Sequence, residues 1–452
     1  MGPTAQIIAV FGIVKCVQLA ILHLLPTLFD VSSSLLLEDY SFEKQILCQL
    51  STSSEFIDSE LSKVCLLLLN NTIDKLVVWD AVYFADLFVK GPQYEHQFVF
   101  CPVWWRLIKS FPGIKGAVFY PRLLMATFVA NLAHLAATLV LYKLTLAIFK
   151  NARIFSPKRM ALCLLILYVM TPAAAFMTAP YSEPVAAFLS FSCLYLRQLG
   201  LDSSPYVILD ARHKDETKSV DAQSNEKSGN ETTHNRAPDA FYVGLYILSG
   251  AFAAVAYGFR ANCLLLGILY VYDLFTVKPF PSPSPLIAGL LLGLSFVITQ
   301  YSNYASICVG SERGEWCNSK LPLLFTYAQG HYWNNGFLKY WTPNNIPNFI
   351  FGAPTIILSL LSVRYFREVY PVARIFPIIC VNTIFTVLLL LLWHVQIVTR
   401  IHLFLPIVYW FVAGLLTQPN FKHRRWGQVC MGYFVIWSVL QVSLFGAFLP
   451  PA

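Results

Sequence analysis

Long apolar runs recur from Ala5 to Leu449, many of them near the length of a membrane-crossing helix, with short polar joints between them. A bilayer core of about 30 Å needs about 20 apolar residues per crossing helix. Within hydrocarbon every backbone polar group must find a partner inside the protein. The pattern therefore restricts the chain to an all-α polytopic bundle. Eleven spans are read: Ala5–Pro26, Ala117–Phe149, Met160–Met177, Pro184–Leu199, Phe241–Gly258, Ala261–Val277, Leu286–Ile307, Ile346–Val363, Ile375–Trp393, His402–Leu416 and Val429–Leu449. The composition agrees. Charged residues make up 12% of the 452, against about 25% in a soluble domain. The formal net charge of +8 does not indicate nucleic acid, because the basic residues sit in short clusters between apolar runs. The first run contains Lys15 and no small-residue cleavage site, so it reads as an uncleaved anchor that is also the first span.

Three basic clusters orient the bundle. They are Lys150, Arg153, Lys158 and Arg159; Arg364, Arg367 and Arg374; and Lys422, Arg424 and Arg425. With eleven spans all three share the side of the N-terminus, which the positive-inside rule makes cytosolic. The loops 27–116 and 308–345 then face the other side. In the first of these, Leu61–Leu69 and Leu76–Val89 read as amphipathic helices at the membrane surface. Residues 201–239 are polar and of low complexity, and read as a disordered cytosolic insert in an otherwise single membrane domain spanning 1–452. The eleven cysteines show no metal spacing. Five fall on the non-cytosolic side: Cys48, Cys65, Cys101, Cys308 and Cys317. An oxidising compartment permits Cys48–Cys65 or Cys308–Cys317 bridges; buried free thiols are the equal alternative. Asn70-Asn71-Thr72 and Asn230-Glu231-Thr232 both match the glycosylation pattern, and the topology makes Asn70 the candidate acceptor.

Five polar stretches do not belong in lipid: "WDAVYF" with "QYEHQFVFCP", "TPAAAFMTAPYSEP", "YGFRAN", "YAQGHYWNNGFLKYW" and "WHVQIVTRIHLFLP". Charges at membrane depth are costly and mark sites or pathways. Each has a bland reading. Asp80 alone reads as a helix cap, Glu183 as a helix start, and Arg260 and Arg400 as snorkelling side chains. His96 and His394 read as core histidines, and "NNGF" as a turn. The eleven-span topology places all five at one face, which favours a single site. Carboxylates, histidines and arginines framed by Trp and Tyr suit a sugar and a phosphate.

The same stretches resemble the GPI mannosyltransferase II (PIG-V) family and, more distantly, the GT-C glycosyltransferases. The resemblance runs through "WDAVYF", "YEHQFVFCP", "TPAAAFMTAPYSEP", "GFRANCLLLG", "YWNNGFLKYWTPNNIPNFIFGAP" and "HVQIVTRIHLFLPIVYW", and so covers most of the chain. Pro184, Cys101 and Ala261 depart from the family pattern, and none removes an ionisable group. The resemblance implies a GT-C-like bundle of about eleven helices with lumenal loop helices, in the endoplasmic reticulum membrane. It implies an inverting α-1,6-mannosyltransferase that takes mannose from dolichol phosphate mannose and adds the second mannose of a GPI precursor. On that reading Asp80 is the base, and Arg260, Arg400, His96 and His394 face the donor phosphate. Glu95 and Glu183 orient the histidine or the sugar, and Trp79, Trp333, Asn334 and Asn335 form the acceptor wall. No metal is expected. The expected partners are membrane lipids, the dolichol-linked donor and the GPI precursor glycolipid, with room for a small membrane subunit and no nucleic acid. A transporter or flippase is the rival, but no internal repeat is visible. A related transferase with another acceptor is the second alternative.

Overall fold

The computed structural model describes residues 3–26, 30–49, 55–100, 102–150, 152, 156–202, 240–277, 283–309, 314–368 and 373–449. The insert expected at 201–239 lies outside these from residue 203 onward, with Asn230, and so does Cys101. The described residues form helices and turns, with one isolated bridge between Ile114 and Ala117 and no strand.

Among the described residues seven helices are long and apolar enough to cross a membrane: Thr4–Leu24, Phe119–Ile148, Glu183–Asp202, Ala240–Phe259, Pro283–Ile307, Pro343–Glu368 and Phe421–Gly446. Val395–Phe404 and Ile407–Thr417 meet at a bend of 78°, the geometry of a broken span or a re-entrant loop, and bring the count to eight if the pair is one span. Four of the eleven expected spans are not single full-length helices. Met160–Met177 is a helix only over Pro157–Val169, and 170–182 continues as turns. Ala261–Val277 begins as a 3-10 turn over Ala261–Leu266 and ends at Thr276. Ile375–Trp393 shortens to the 17 residues Phe376–Leu392. His402–Leu416 breaks at Pro406, which has no N–H to donate and whose ring clashes with the preceding turn. Pro172 acts likewise on the first of these, because Thr171 before it is pushed out of the α region.

Within the turn segment, residues 171–182 are buried, which lipid alone would forbid. Side chains from distant helices complete its backbone. Lys15 Nζ donates to Met177 O at 2.8 Å and to Thr178 Oγ1 at 2.7 Å. Asn131 Nδ2 donates to Thr178 O at 2.8 Å, Trp104 Nε1 donates to Pro180 O at 3.2 Å, and Gln441 Oε1 accepts from Ala175 N–H at 2.6 Å. Lys15 is thus a structural donor inside the first span.

Small residues let the spans approach. A Cβ on Gly250 would lie 2.5 Å from Ala288 Cα, so Ala240–Phe259 and Pro283–Ile307 cross in close contact. At one end of the bundle Asp202 pairs with Lys150 at 3.1 Å and with Arg374. This gathers residues from the first two basic clusters, as their common side requires.

The loop 27–116 folds into helices Val31–Asp39, Ser41–Cys48, Glu55–Leu68, Asp80–Val89 and Pro102–Lys109. Glu55–Leu68 exposes Leu61, Val64, Leu67 and Leu68, as a helix lying on a membrane does. Leu76–Val89 differs from expectation. Leu76, Val77, Val78, Ala81, Phe84, Ala85, Leu87 and Phe88 are buried, so this stretch lies inside the protein. Its apolar residues cover most of the helix circumference, which only an enclosed helix can bury. Glu43 anchors the loop by accepting from the N–H groups of Phe119 (2.8 Å) and Tyr120 (3.2 Å), free donors at the start of the long span. Cys48–Cys65 and Cys308–Cys317 are both disulfides, which resolves the open alternative for these four residues.

Candidate active site

The site begins at a strained residue. Trp79 has φ 56° and ψ −133° and precedes the helix Asp80–Val89. A non-glycine residue with positive φ needs surrounding support. Tyr181 supplies it: its hydroxyl donates to Val78 O at 3.1 Å and accepts from Ala81 N–H at 3.3 Å. The Trp79 ring stacks on Phe448 at 4.7 Å. Trp79 occupies the cap position without a side-chain cap bond, so Asp80 is the first helical residue and not the cap.

The Asp80 carboxylate points instead at Arg400, whose Nη1 donates to Asp80 Oδ2 at 2.7 Å. Arg400 Nε lies 3.3 Å from Glu183 Oε1, and Arg260 pairs with the same Glu183 oxygen. The guanidinium of Arg400 lies over the rings of Phe176 (5.2 Å) and Tyr181 (5.8 Å). Four charges thus alternate in a chain, Asp80, Arg400, Glu183 and Arg260. Asp80 is the most exposed, with 29% of its side chain accessible, and Glu183 the least, at 3%. Glu183 Oε2 has no hydrogen-bond partner among the described residues. Asn262 Nδ2 donates to Ile401 O at 3.1 Å and so ties the Arg260 turn to the Arg400 segment.

These groups open onto a cavity of about 470 Å³, within the range of pockets that hold small ligands. Asp80, Arg260, Arg400, His394, Trp333 and Asn335 all line it. His394 stacks on Tyr340 at 4.6 Å, and burial lowers its pKa below the ordinary value. The remaining candidates are placed otherwise. Glu183 lies behind the arginines. Trp79 faces Phe448. His96 sits among Tyr83, Tyr94, Tyr332 and Trp333, and burial lowers its pKa although the neighbouring Glu95 opposes this. Glu95 accepts from Tyr332 Oη at 2.8 Å and from Trp316 Nε1, and so fastens the loop beyond Cys308 to the first loop. Burial, then Glu95, pushes the Tyr332 hydroxyl up to about 12.

Asn334 has φ 51° and forms the turn, while Asn335 Nδ2 donates to Gln329 Oε1 at 2.5 Å. This loop also completes the end of Phe376–Leu392. Gly336 N–H, Leu338 N–H and Trp341 Nε1 donate to the carbonyls of Leu392, Leu391 and Leu390, which lack helical partners. Asn70 is exposed, and its Oδ1 accepts from Lys44 Nζ at 2.7 Å. Among the described residues no three His, Cys, Asp or Glu side chains gather as metal ligands.

The sequence model of the family described as Mannosyltransferase (PIG-V) matches residues 5–375 and 368–452. The chain belongs to the PIG-V mannosyltransferase family. Its similarity to the GPI mannosyltransferase 2 of Candida albicans is 35% identity over 99% of each chain. With the enzymes of that name from Kluyveromyces lactis and Saccharomyces cerevisiae the identities are 32% and 30%, over 98% of this chain and 96% and 98% of theirs. Among solved structures it is similar to the Archaeoglobus fulgidus oligosaccharyltransferase, with a TM-score of 0.41 and 11% identity over 83% of this chain and 51% of that one.

For a PIG-V mannosyltransferase the arrangement offers three things: a carboxylate at a cavity wall, two arginines beside it, and a buried carboxylate that balances them. Tyr181, Phe176 and Asn262, which hold this set in place, carry no charge that would single them out in the sequence. Tyr181 and Phe176 lie inside a quoted stretch, but neither ionises near neutral pH, and only their contacts reveal a role.

Proposed function

We propose that this chain is the GPI-anchor mannosyltransferase that transfers mannose from dolichol phosphate mannose to the 6-hydroxyl of the first mannose. The acceptor is the mannosyl-glucosaminyl-phosphatidylinositol precursor, and the reaction takes place on the lumenal side of the endoplasmic reticulum membrane. The observation that carries the reading is the single cavity wall shared by Asp80, Arg260 and Arg400. The names of the similar fungal enzymes support the acceptor class. The two disulfides in the loops that build this end of the bundle support an oxidising compartment.

The step is a single displacement. The acceptor oxygen attacks the anomeric carbon, the bond from that carbon to phosphate oxygen breaks, and the β-linked donor yields an α-linked product. The acceptor proton passes to Asp80. Before the step Asp80 offsets the charge of Arg400. Once protonated it no longer does, so the positive field of Arg400 strengthens as the departing dolichyl phosphate gains charge. Buried Glu183 keeps both arginines in position throughout. No obligatory metal enters this reading.

The test is mannose transfer in microsomes with labelled donor and GPI precursors of defined length, with and without EDTA. The expected result is α-1,6 extension of the one-mannose precursor, unaffected by the chelator. Extension of a different precursor, or another linkage, would assign the chain to a related transferase.

A further inference from the structure

A second groove of about 320 Å³ runs along the outside of the bundle, between the helix Pro102–Lys109 and the span Pro283–Ile307. Val103, Gly258, Leu291, Leu294 and Ile298 line it, together with Arg106. Leu294 and Ile298 are more than half exposed, so the groove faces the surrounding medium, which at a membrane span is lipid. Pro102, Thr299 and Asn303 line both this groove and the main cavity, so the two adjoin at these residues. Arg106 lies on the exposed side of its helix, opposite buried Trp104, Trp105 and Ile108. Its guanidinium is 5.0 Å from the Trp105 ring. An apolar trough with an arginine beside it is complementary to a lipid phosphate.

We propose that this groove holds the lipid anchor of the acceptor, with Arg106 gripping its phosphodiester; the inference rests on the acceptor class proposed above. Geometry favours the acceptor over the donor. The donor phosphate is bonded to the reacting carbon and must sit inside the main cavity, beside Arg400. The acceptor phosphate is separated from the reacting hydroxyl by an inositol, a glucosamine and a mannose. A cation outside the cavity wall suits only the second. The sugars then reach the cavity past Thr299 and Asn303, which line both spaces.

The experiment compares two acceptors with saturating dolichol phosphate mannose and the full-length enzyme in microsomes. One is the complete mannosyl-glucosaminyl-phosphatidylinositol, and the other is mannosyl-glucosaminyl-inositol without phosphate or chains. Arg106→Gln should raise KM for the complete glycolipid about tenfold, the worth of one charge-assisted hydrogen bond, with kcat retained. Its preference for the complete acceptor over the headgroup should fall by the same factor. Ser302→Phe, which fills the groove, should act in the same direction, whereas Lys109→Gln on the same helix should not. Equal loss with both acceptors, a rise in donor KM instead, or an unchanged acceptor KM would overturn the assignment. Turnover of the one-mannose precursor by the wild type tests the proposed function separately, so failure of the groove leaves that reading standing.

Discussion

Asp80 opens a helix whose cap position belongs to Trp79, and its carboxylate faces Arg400. Asp80→Asn preserves shape and removes both proton acceptance and the countercharge to Arg400. Transfer should fall about 10²–10⁴-fold, the usual worth of a general base. Asp86→Asn is the control, because Asp86 lies on the same helix but pairs with Lys90 at 3.0 Å and accepts from Gln97 Nε2 at 3.3 Å, bonds that an amide oxygen can still accept. Its turnover should stay near normal. Both are measured as mannose transfer per amount of enzyme, and near-normal transfer by Asp80→Asn would exclude the base role. Arg400→Lys keeps the charge but cannot address Asp80 and Glu183 from one planar fork. A loss of about a hundredfold is expected if the guanidinium stabilises the departing phosphate; unchanged transfer would leave Arg400 with a packing role. At this scale residue types were readable. Asp80, Arg260, Arg400 and His394 stand out because charge and imidazole are rare in an apolar chain. Their partners were not readable, since Glu183 gives no local sign that it binds both arginines.

Elements follow local chemistry where the chain is regular and distant partners where it is not. The long spans were legible from apolar run length alone. The segment 170–182 was not. Thr171-Pro172 and Pro180 mark a helix break, but the partners that allow its burial lie 162, 47 and 266 residues away, in Lys15, Asn131 and Gln441. Lys15→Met tests this dependence. It removes a donor from Met177 O, at a cost of about 1–3 kcal/mol for a buried group left unsatisfied, while Thr178 Oγ1 keeps its bonds to Gln18 Oε1 and Ala174 O. The detergent-solubilised variant should show a lower thermal midpoint than the wild type, and an unchanged midpoint would mean that Lys15 contributes nothing to the turn. The helix Asp80–Val89 illustrates a different limit. Its sequence announces an apolar helix but not whether membrane or protein covers it, and here the protein does.

For the whole molecule, side assignment rests on the basic clusters and on Asp202, which joins Lys150 and Arg374 at one end of the bundle. The loops carrying the disulfides build the other end. Endoglycosidase treatment of Asn70→Gln and Asn230→Gln variants checks the orientation. Exposed Asn70 is expected to carry glycan and Asn230 none; glycan on Asn230 would reverse the assignment.

The sequence by itself determined the helical class, the membrane setting and the short list of polar residues from which a site is made. Those follow from local rules, because hydrocarbon demands internal backbone bonding over each run and makes every charge conspicuous. Only the tertiary structure decided that four of the expected spans are short or broken, and which cysteines pair. It alone joined Asp80 to Arg400 across 320 positions and Glu183 to Arg260 across 77. Such contacts depend on how helices pack, and no periodicity within a single helix encodes which distant side chain will stand opposite.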